Sequence, residues 1–324
     1  MRNGSKPCSA PRIEKHRAGI LGGCRLADDR VYIPPAVVAS ALSTAPSTVE
    51  VFNRLGQPAF TLGAAGGTRF GVGVTNLYYQ DPLSEAVTPF TRPLLARCVR
   101  LGEALPAFDV VSTIGILHDQ PPHLADLYAV LEMLANTRKA LVILISNEAL
   151  FPAVLDLLES LHGDLTPQPC IIPYLNPVTP LIINEGTSDK LLACAGRGLP
   201  FIYSNYGMAG MSSPITPAGT LALLNAELLA GLVLAQLANP GTPVILGSLP
   251  AFFDMQTMVD FYDPRTYLIN VSCAEMMAYY HLPHAGTSGI RLQCAFAMPI
   301  PQDAPQQARK PPITRRKAST PGTM

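Results

Sequence analysis

One stretch, residues 200–248, constrains the fold of this chain most, because its pattern is that of a strand, a loop, a helix, a turn and a strand. An apolar run at 201–203 ends in a polar loop. The Thr-Pro pair at 216–217 then predicts a helix start, since a threonine hydroxyl caps free N–H groups and proline suits the first helical turn. The Asn-Pro-Gly sequence at 239–241 stops that helix, and 244–246 begins a second strand. A βαβ unit of this length predicts two parallel strands with a right-handed crossover.

The helix inside this unit also has the length and composition of a membrane span. It is apolar on nearly all sides between 221 and 237, and a rise of about 1.5 Å per residue brings it close to the thickness of a bilayer. Asn225, Glu227 and Gln236 argue against lipid, because a carboxylate near the middle of a span costs about 2.5–3.5 kcal/mol. We therefore expect no membrane, a helix buried in protein or in a subunit interface, and a structural role for Glu227.

The amino-acid composition indicates which kinds of binding partner to expect. The 324 residues are 48% hydrophobic and 14% charged, with a formal net charge of zero. A neutral chain gives no electrostatic reason to expect nucleic acid. The apolar bias fits a large core or a wide apolar interface between subunits, and it predicts a homo-oligomer.

The cysteines indicate the compartment. There are seven, they are scattered, and no C-x-x-C occurs. This spacing gives neither a metal site nor a disulfide framework, so a reducing cytoplasm is expected. The N-terminus is basic but has no apolar core segment, and it predicts no secretion signal.

The chain divides by pattern into four parts. Residues 1–20 are polar and unpatterned, 21–88 read as a small α+β preface, 89–289 alternate between strands and helices, and 290–324 are proline-rich, basic and without periodicity. We expect a loose N-terminus and a disordered tail. A basic tail that binds acid or RNA is the alternative for the last part.

The alternating part predicts the architecture. Six strands begin near residues 109, 140, 171, 201, 244 and 284, and the third is expected at 171–175 with a helix after it at 188–195. Their spacing of about 30–40 residues predicts an α/β fold with about six β/α units, which suits a barrel. An open doubly wound sheet is the alternative. No glycine-rich nucleotide fingerprint follows the first strand, which counts against a Rossmann fold.

Three local patterns resemble functional motifs without completing them. The glycines at 63–67 lack the Lys-Ser/Thr of a phosphate loop. Pro250 stands where a nucleophile elbow needs glycine. His281 and His284 have no third ligand nearby, so we expect no metal site.

Polar residues follow most of the predicted strands. In a barrel these positions face the active site. Most are neutral, which suits orientation of a substrate better than acid–base or nucleophilic catalysis, and no catalytic residue stands out. Capping of loops is the alternative role. The positions are 112–113, 146–147, 176–177, 204–206, Ser248, Asp254 and Thr287.

Several segments, in order along the chain, resemble one known family. The main segment is 208–248, with its Ser-Ser-Pro, Ala-Gly-Thr-Leu, Asn-Ala-Glu and Leu-Ala-Gly-Leu-Val-Leu-Ala-Gln-Leu pieces, and 28–35, 176–181 and 279–283 support it. Together they are similar to the trimethylamine:corrinoid methyltransferase family. The resemblance covers about residues 20–289 and implies a (β/α)8 barrel of the TIM type, which is incomplete here with about six β/α units.

The resemblance implies a role in methylamine metabolism and methanogenesis. Such an enzyme removes a methyl group from a methylated or quaternary amine and passes it to the cobalt of a corrinoid. The corrinoid, a cobalamin, is carried by a separate partner protein, so this chain itself binds no cofactor. Members that use trimethylamine carry pyrrolysine at a place that falls near 287–290 here, where only ordinary residues stand. This departure favours a betaine-like substrate.

A second departure concerns length. The resemblance stops at Gly289, whereas family chains continue with further strands. We expect a truncated product, or a tail translated in another reading frame, and little or no activity in this chain alone, because each strand end contributes to one shared mouth. The alternative function is that of an inactive barrel that only binds or assembles.

Six residues at strand ends are candidates for binding the substrate that this resemblance implies. A quaternary ammonium suits an aromatic wall, for which Tyr206 and Phe253 are the candidates, and Asp254 would offset its charge. The other three are neutral: Asn176 and Ser248 would bind a carboxylate, and Thr287 would line the mouth after the sixth strand.

Overall fold

The computed structural model describes residues 23–27, 30–63, 67–73, 75–261 and 264–286. The predictions of a loose segment 1–20 and a disordered tail 290–324, and the candidate Thr287, lie outside the described residues.

The first part of the chain forms small elements that precede the main sheet. This part contains three antiparallel pairs, β1–β2, β3–β4 and β5–β6, and one helix whose first residue is a proline. The elements are β1 Arg25–Ala27, β2 Arg30–Tyr32, α1 Pro35–Thr44, β3 Thr48–Phe52, β4 Pro58–Gly63, β5 Tyr78–Gln80 and β6 Val87–Pro89.

The rest of the described chain alternates between helices and strands. Its elements are α2 Arg92–Ala104, β7 Val110–Ser112, α3 Ala125–Asn136, β8 Ala140–Ile143, a 3₁₀ turn Glu148–Leu150, α4 Phe151–His162, β9 Ile171–Leu175, α5 Glu185–Arg197, β10 Phe201–Ala209, α6 Pro217–Ala238, β11 Val244–Asp254, β12 Val259–Phe261, α7 Pro264–Tyr279 and β13 His284–Gly286.

Six parallel strands form the main sheet in the order β7-β8-β9-β10-β11-β13, and β12 pairs antiparallel with the far end of β11. The sheet curls into a half-barrel. Strand neighbours in space thus follow the order of the chain, as they do in a barrel and unlike in a doubly wound sheet, where the order reverses. The mixed α/β class is confirmed, while closure into a barrel of the TIM type stays a prediction.

The two faces of the sheet are covered differently. The outer face, with residues such as Leu141, Phe201 and Leu246, packs against the helices. The inner face has a small core of its own, in which the first inward residues of the strands meet Val49 and Val51 of β3. The β3–β4 hairpin therefore fills the amino-terminal end of the curl. The carboxyl-terminal ends of the strands keep an inner face that the hairpin does not cover.

The edge of the sheet at β7 is paired with residues from the first part of the chain. Residues 68–73 form no strand, but they lie beside β7. Gly71 and Asn76 form parallel bridges to Val110 and Gly115 beside β7. The backbone N–H of Asn76 donates to Ile114 O at 2.9 Å. This edge is thus protected from pairing with another chain.

Helix α6 has the predicted limits, with Thr216 Oγ1 accepting from Gly219 N at 3.2 Å as its cap. In the described part of the chain it is the one helix long and apolar enough to cross a membrane, a test that core helices of soluble proteins also pass. It packs on β10 and β11 and buries Glu227 and Gln236.

Candidate functional site

Strands β10 and β11 are the two longest strands of the described sheet. They form a two-stranded ribbon, and one side of this ribbon continues the inner face of the half-barrel. Strands β10 and β11 pair in register from Phe201 and Val244 as far as Ala209 and Phe252, well beyond the end of β9. Because strand side chains alternate between faces, every second residue of this ribbon belongs to the inner face. The inner positions are Ser204, Tyr206 and Met208 on β10 and Gly247, Leu249, Ala251 and Phe253 on β11.

The tip of the ribbon bends over this face. Tyr206 donates its hydroxyl hydrogen to Asp260 Oδ2 at 2.7 Å, and both groups are partly buried. Asp260 pairs across β11 and β12 with Phe253, so it shares the inner face. In a flat sheet the Cα atoms of Tyr206 and Asp260 would lie about 16 Å apart, farther than the two side chains can bridge. The hydrogen bond therefore requires β12 to curl back above Tyr206.

A neutral polar layer lies deeper on the same face. Asn176 Nδ2 donates to Ser204 O at 2.8 Å, and the Asn176 carbonyl accepts from Thr187 Oγ1 at 2.7 Å. Burial raises the pKa of the Tyr174 phenol, more than the side chains of Ser204 and Asn176 lower it. The phenol is thus a neutral hydrogen-bonding group at physiological pH.

Gly247 keeps space open beside this layer. A Cβ at this position would lie 2.5 Å from the backbone oxygen of Ala285 and 3.1 Å from Ser204 Oγ. Backbone atoms cannot yield as a flexible side chain can, so any larger residue would force β11 and β13 apart. The floor of the inner face is therefore formed by backbone and small side chains.

Ser248 lies on the opposite face. It is fully buried, and its Oγ donates to Asn205 Oδ1 at 2.8 Å. Asn205 Nδ2 in turn donates to Leu224 O at 2.9 Å and to Glu227 Oε2 at 2.8 Å. This network joins the sheet to α6, so Ser248 is not placed to meet a ligand on the inner face.

Asp254 is held in a turn. Its Oδ1 accepts from Gln256 N at 2.9 Å and its Oδ2 from Thr257 Oγ1 at 2.8 Å. The bond from Gln256 N, followed by that from Thr257, lowers the pKa of this carboxyl. The Asp254 carboxylate thus stabilises the β11–β12 turn. It does not lie on the inner face beside Phe253.

The carboxylate that lies on the inner face with Tyr206 and Phe253 is that of Asp260, which was not predicted from the sequence. No strand was predicted at 259–261, although the alternation Val-Asp-Phe there was an available signal. Of the six candidates, the structure brings Asn176, Tyr206 and Phe253 to the inner face, and it places Ser248 and Asp254 elsewhere. Thr287 is not among the described residues.

The two histidines considered as a metal pair differ in environment. His281 is exposed, whereas the Nε2 of His284 is buried with no hydrogen-bond partner among the described residues. Within the same part of the chain, no group of three or more His, Cys, Asp and Glu side chains is placed to hold a metal ion.

We expect stability to fall in acid because of His284. Burial lowers the pKa of its imidazole from 6.5 to about 4. Between these values the unfolded chain takes up a proton more readily than the folded chain. The free energy of unfolding should therefore drop by on the order of 2 kcal/mol between pH 7 and pH 4.5, after allowance for partial exposure.

Urea unfolding of the wild type and of His284→Gln at both pH values measures this effect. The variant lacks the titrating group, so its loss of stability in acid should be smaller by that amount. An equal loss in the two proteins would show that other groups govern the acid response.

Comparison with known proteins identifies the family of the chain. The sequence model of the trimethylamine methyltransferase (MTTB) family matches residues 13–296. The fold defines an α/β half-barrel with a candidate site at the carboxyl ends of its strands. The chain belongs to the trimethylamine methyltransferase family.

Individual relatives are similar over much of this chain. "Trimethylamine methyltransferase MttB" of Desulfitobacterium hafniense (strain DSM 10664 / DCB-2) is 31% identical over 259 residues, 78% of this chain and 52% of that protein. "Glycine betaine methyltransferase" of Desulfitobacterium hafniense (strain Y51) is 38% identical over 124 residues, 38% of this chain and 26% of that protein. "Trimethylamine methyltransferase MttB1" of Methanosarcina acetivorans is 29% identical over 264 residues, 78% of this chain and 53% of that protein. The chain thus spans about half the length of the trimethylamine methyltransferases it matches.

Proposed function

We propose that this chain acts in a methyltransferase that moves a methyl group from a methylated or quaternary amine to the cobalt of a corrinoid on a partner protein. Membership of the trimethylamine methyltransferase family supports the reaction class. The observation that carries the proposal is the inner face itself, where Tyr206, Phe253 and Asp260 lie together above a neutral polar floor. Such a surface suits a methylated cation better than an anion.

This methyl transfer requires the protein mainly to position the methyl group of the amine against the cobalt of the corrinoid. The positive nitrogen makes the attached methyl group electrophilic, and the reduced cobalt of the corrinoid, brought as a substrate, is the nucleophile. No proton needs to move on the amine when a quaternary nitrogen loses a methyl group. The neutral groups around Asn176 and Tyr174 fit this requirement, since they can orient a ligand without acid–base chemistry.

The substrate proposed within this class is betaine-like. The 38% identity to the protein named glycine betaine methyltransferase supports it, and so do the ordinary residues at 287–290. Asn176 remains the proposed contact for a neutral polar or carboxylate group, although its amide nitrogen already donates to Ser204 O.

The rim of the site offers a surface to a carrier protein. At the tips of the two long strands, Met211, Ile215, Met255 and Met258 are all exposed. Methionine side chains are flexible and adapt to a partner surface. We propose that the corrinoid protein approaches here, since its cobalt must come within reach of the methyl group.

Two further proposals concern the state of the chain. Helix α7 presents Leu268, Val271 and Tyr279 to solvent, which supports a homo-oligomer. Helix α6 buries Glu227 and Gln236 among protein groups, which supports a cytoplasmic protein outside the membrane.

The reaction can be tested with free cob(I)alamin as the methyl acceptor. The 324-residue chain is incubated with glycine betaine, tetramethylammonium or trimethylamine, and methylcobalamin is followed by its absorbance. We expect protein-dependent methylcobalamin with a quaternary amine, because the inner face would hold the methylated nitrogen in a fixed orientation towards the cobalt.

The outcome of this assay separates the two functions considered. Binding of an amine without any methylcobalamin, while the Desulfitobacterium enzyme turns over alongside, would refute the enzyme in favour of a protein that only binds or assembles. Turnover with trimethylamine alone would refute the betaine-like substrate.

A further inference from the structure

We infer that Asp260 and Tyr206 form the subsite that receives the cationic nitrogen of the substrate, so that any carboxylate of the substrate points away from the β10–β12 ribbon. This inference rests on the proposed function for the identity of the substrate, but the subsite is argued from charge and geometry alone.

The first argument is the charge of the inner face. Strands β7 to β13 contain no lysine and no arginine, and their acidic residues are Asp254 and Asp260. Since Asp254 is bound within its own turn, Asp260 is the carboxylate that these strands present inward. A cation is therefore attracted to the ribbon, whereas a carboxylate finds no opposite charge on these strands.

The second argument is the geometry of the pair. The bond of 2.7 Å from the Tyr206 hydroxyl engages Asp260 Oδ2 and leaves the second carboxylate oxygen, Oδ1, outside that bond. The same bond fixes the Tyr206 ring below the overhanging strand β12. A partly buried carboxylate beside the fixed ring of a tyrosine provides both charge and a π-surface for a methylated nitrogen.

The third argument concerns selectivity. A quaternary ammonium has no N–H to donate, so it gains nothing from an added hydrogen-bond acceptor but does gain from charge and aromatic contact. The layer around Asn176 and Ser204 is neutral and internally bonded. The ribbon is thus the part of the described inner face that distinguishes a cation from a neutral molecule of the same shape.

Binding measurements on the whole chain test the subsite without requiring turnover. Tetramethylammonium is titrated into wild type, Asp260→Asn and Asp254→Asn by calorimetry at low salt. We expect Asp260→Asn to weaken binding about tenfold or more, and Asp254→Asn, which removes the same charge from the same hairpin, to weaken it less than about threefold.

A neutral isostere separates charge recognition from general damage. Choline and 3,3-dimethylbutan-1-ol have nearly the same shape but differ in charge. The wild type should prefer choline by about tenfold or more, and Asp260→Asn should lose most of this preference. Tyr206→Phe keeps the ring and should retain the preference, whereas Tyr206→Leu should lose it even if Asp260→Asn fails to fold.

Three results would overturn the subsite: equal affinities in Asp260→Asn and the wild type, equal effects of the two aspartate substitutions, or a choline preference that survives Tyr206→Leu.

Failure of the proposed reaction is recognised separately. Tetramethylammonium binding that depends on Asp260, without methylcobalamin formation, supports the subsite and refutes the reaction. Methylcobalamin formation with an unchanged KM for the amine in Asp260→Asn supports the reaction and refutes the subsite.

Discussion

Replacement of Glu227 by alanine should lower the free energy of unfolding by about 2–4 kcal/mol, since three donors lose their acceptor in a buried place. The side chain is 2% exposed. Its Oε1 accepts from Leu181 N at 2.6 Å, and its Oε2 accepts from Thr179 Oγ1 at 2.9 Å and from Asn205 Nδ2 at 2.8 Å. The carboxylate therefore ties the loop after β9 to α6 and to β10.

The loop depends on this anchor for its shape. Leu181 has a φ of +57°, a conformation that residues with a branched side chain rarely adopt and that costs about 1–2 kcal/mol. Its N–H bond to Glu227 compensates part of that cost. In Glu227→Ala we expect faster hydrogen exchange at the Leu181 amide and earlier proteolysis of residues 177–184 than in the wild type.

Two further variants make the Glu227 measurement specific. Glu227→Gln keeps the volume and one acceptor oxygen but turns an NH₂ group towards donors, so its loss should be about half as large. Glu275→Ala removes an exposed carboxylate from α7 and should change stability by less than about 0.5 kcal/mol. An unfolding midpoint for Glu227→Ala within error of the wild type would contradict a role as anchor.

The order of the main elements was predictable from the sequence, because apolar runs and helix caps recur at regular intervals. The limits of β9 agree with the prediction, 171–175, since a proline and a polar segment bound a continuous apolar run. The helix predicted at 188–195 begins earlier, at Glu185. Local signals thus give the existence of an element more reliably than its ends.

The length of the ribbon was not predictable in this way. Strands β10 and β11 were expected to stop near 203 and at 247–248, yet they continue to Ala209 and Asp254. The added residues include glycine, asparagine and proline, which have low strand propensity. They are extended because β10, β11 and β12 pair with one another, and pairing between distant segments overrides local preference.

This extension also explains which of the candidate residues lie on the inner face. Tyr206 and Phe253 were selected as aromatic residues at strand ends, and their alternation along longer strands brings both to the inner face. Ser248 was selected as a residue after a strand, but it lies within β11, where the alternation turns it towards Asn205. The choice between Asp254 and Asp260 required knowledge of the β11–β12 turn, which the local sequence did not reveal.

Replacement of Gly231 by alanine should destabilise the protein by about 3 kcal/mol, although the same change in an ordinary helix is favourable. Gly231 is buried in α6, and a Cβ there would lie 2.2 Å from a ring carbon of Tyr203. Tyr203 is fully buried in β10. The ring has no free space to move into, so the substitution must push α6 away from the sheet.

A matched glycine distinguishes this clash from the general effect of helix propensity. A Cβ added to Gly196, in α5, would meet no atom within 4 Å, so Gly196→Ala should stabilise by about 0.5–1 kcal/mol. Chemical unfolding of both variants measures whether each substitution lowers or raises the free energy of unfolding.

The double variant Gly231→Ala/Tyr203→Leu, which removes the ring, should recover part of the lost stability, because the added methyl then meets a smaller and more flexible side chain. If Gly231→Ala proved as stable as Gly196→Ala, the close packing of α6 on β10 would be refuted, and with it the rigid support of the strand that carries Tyr206.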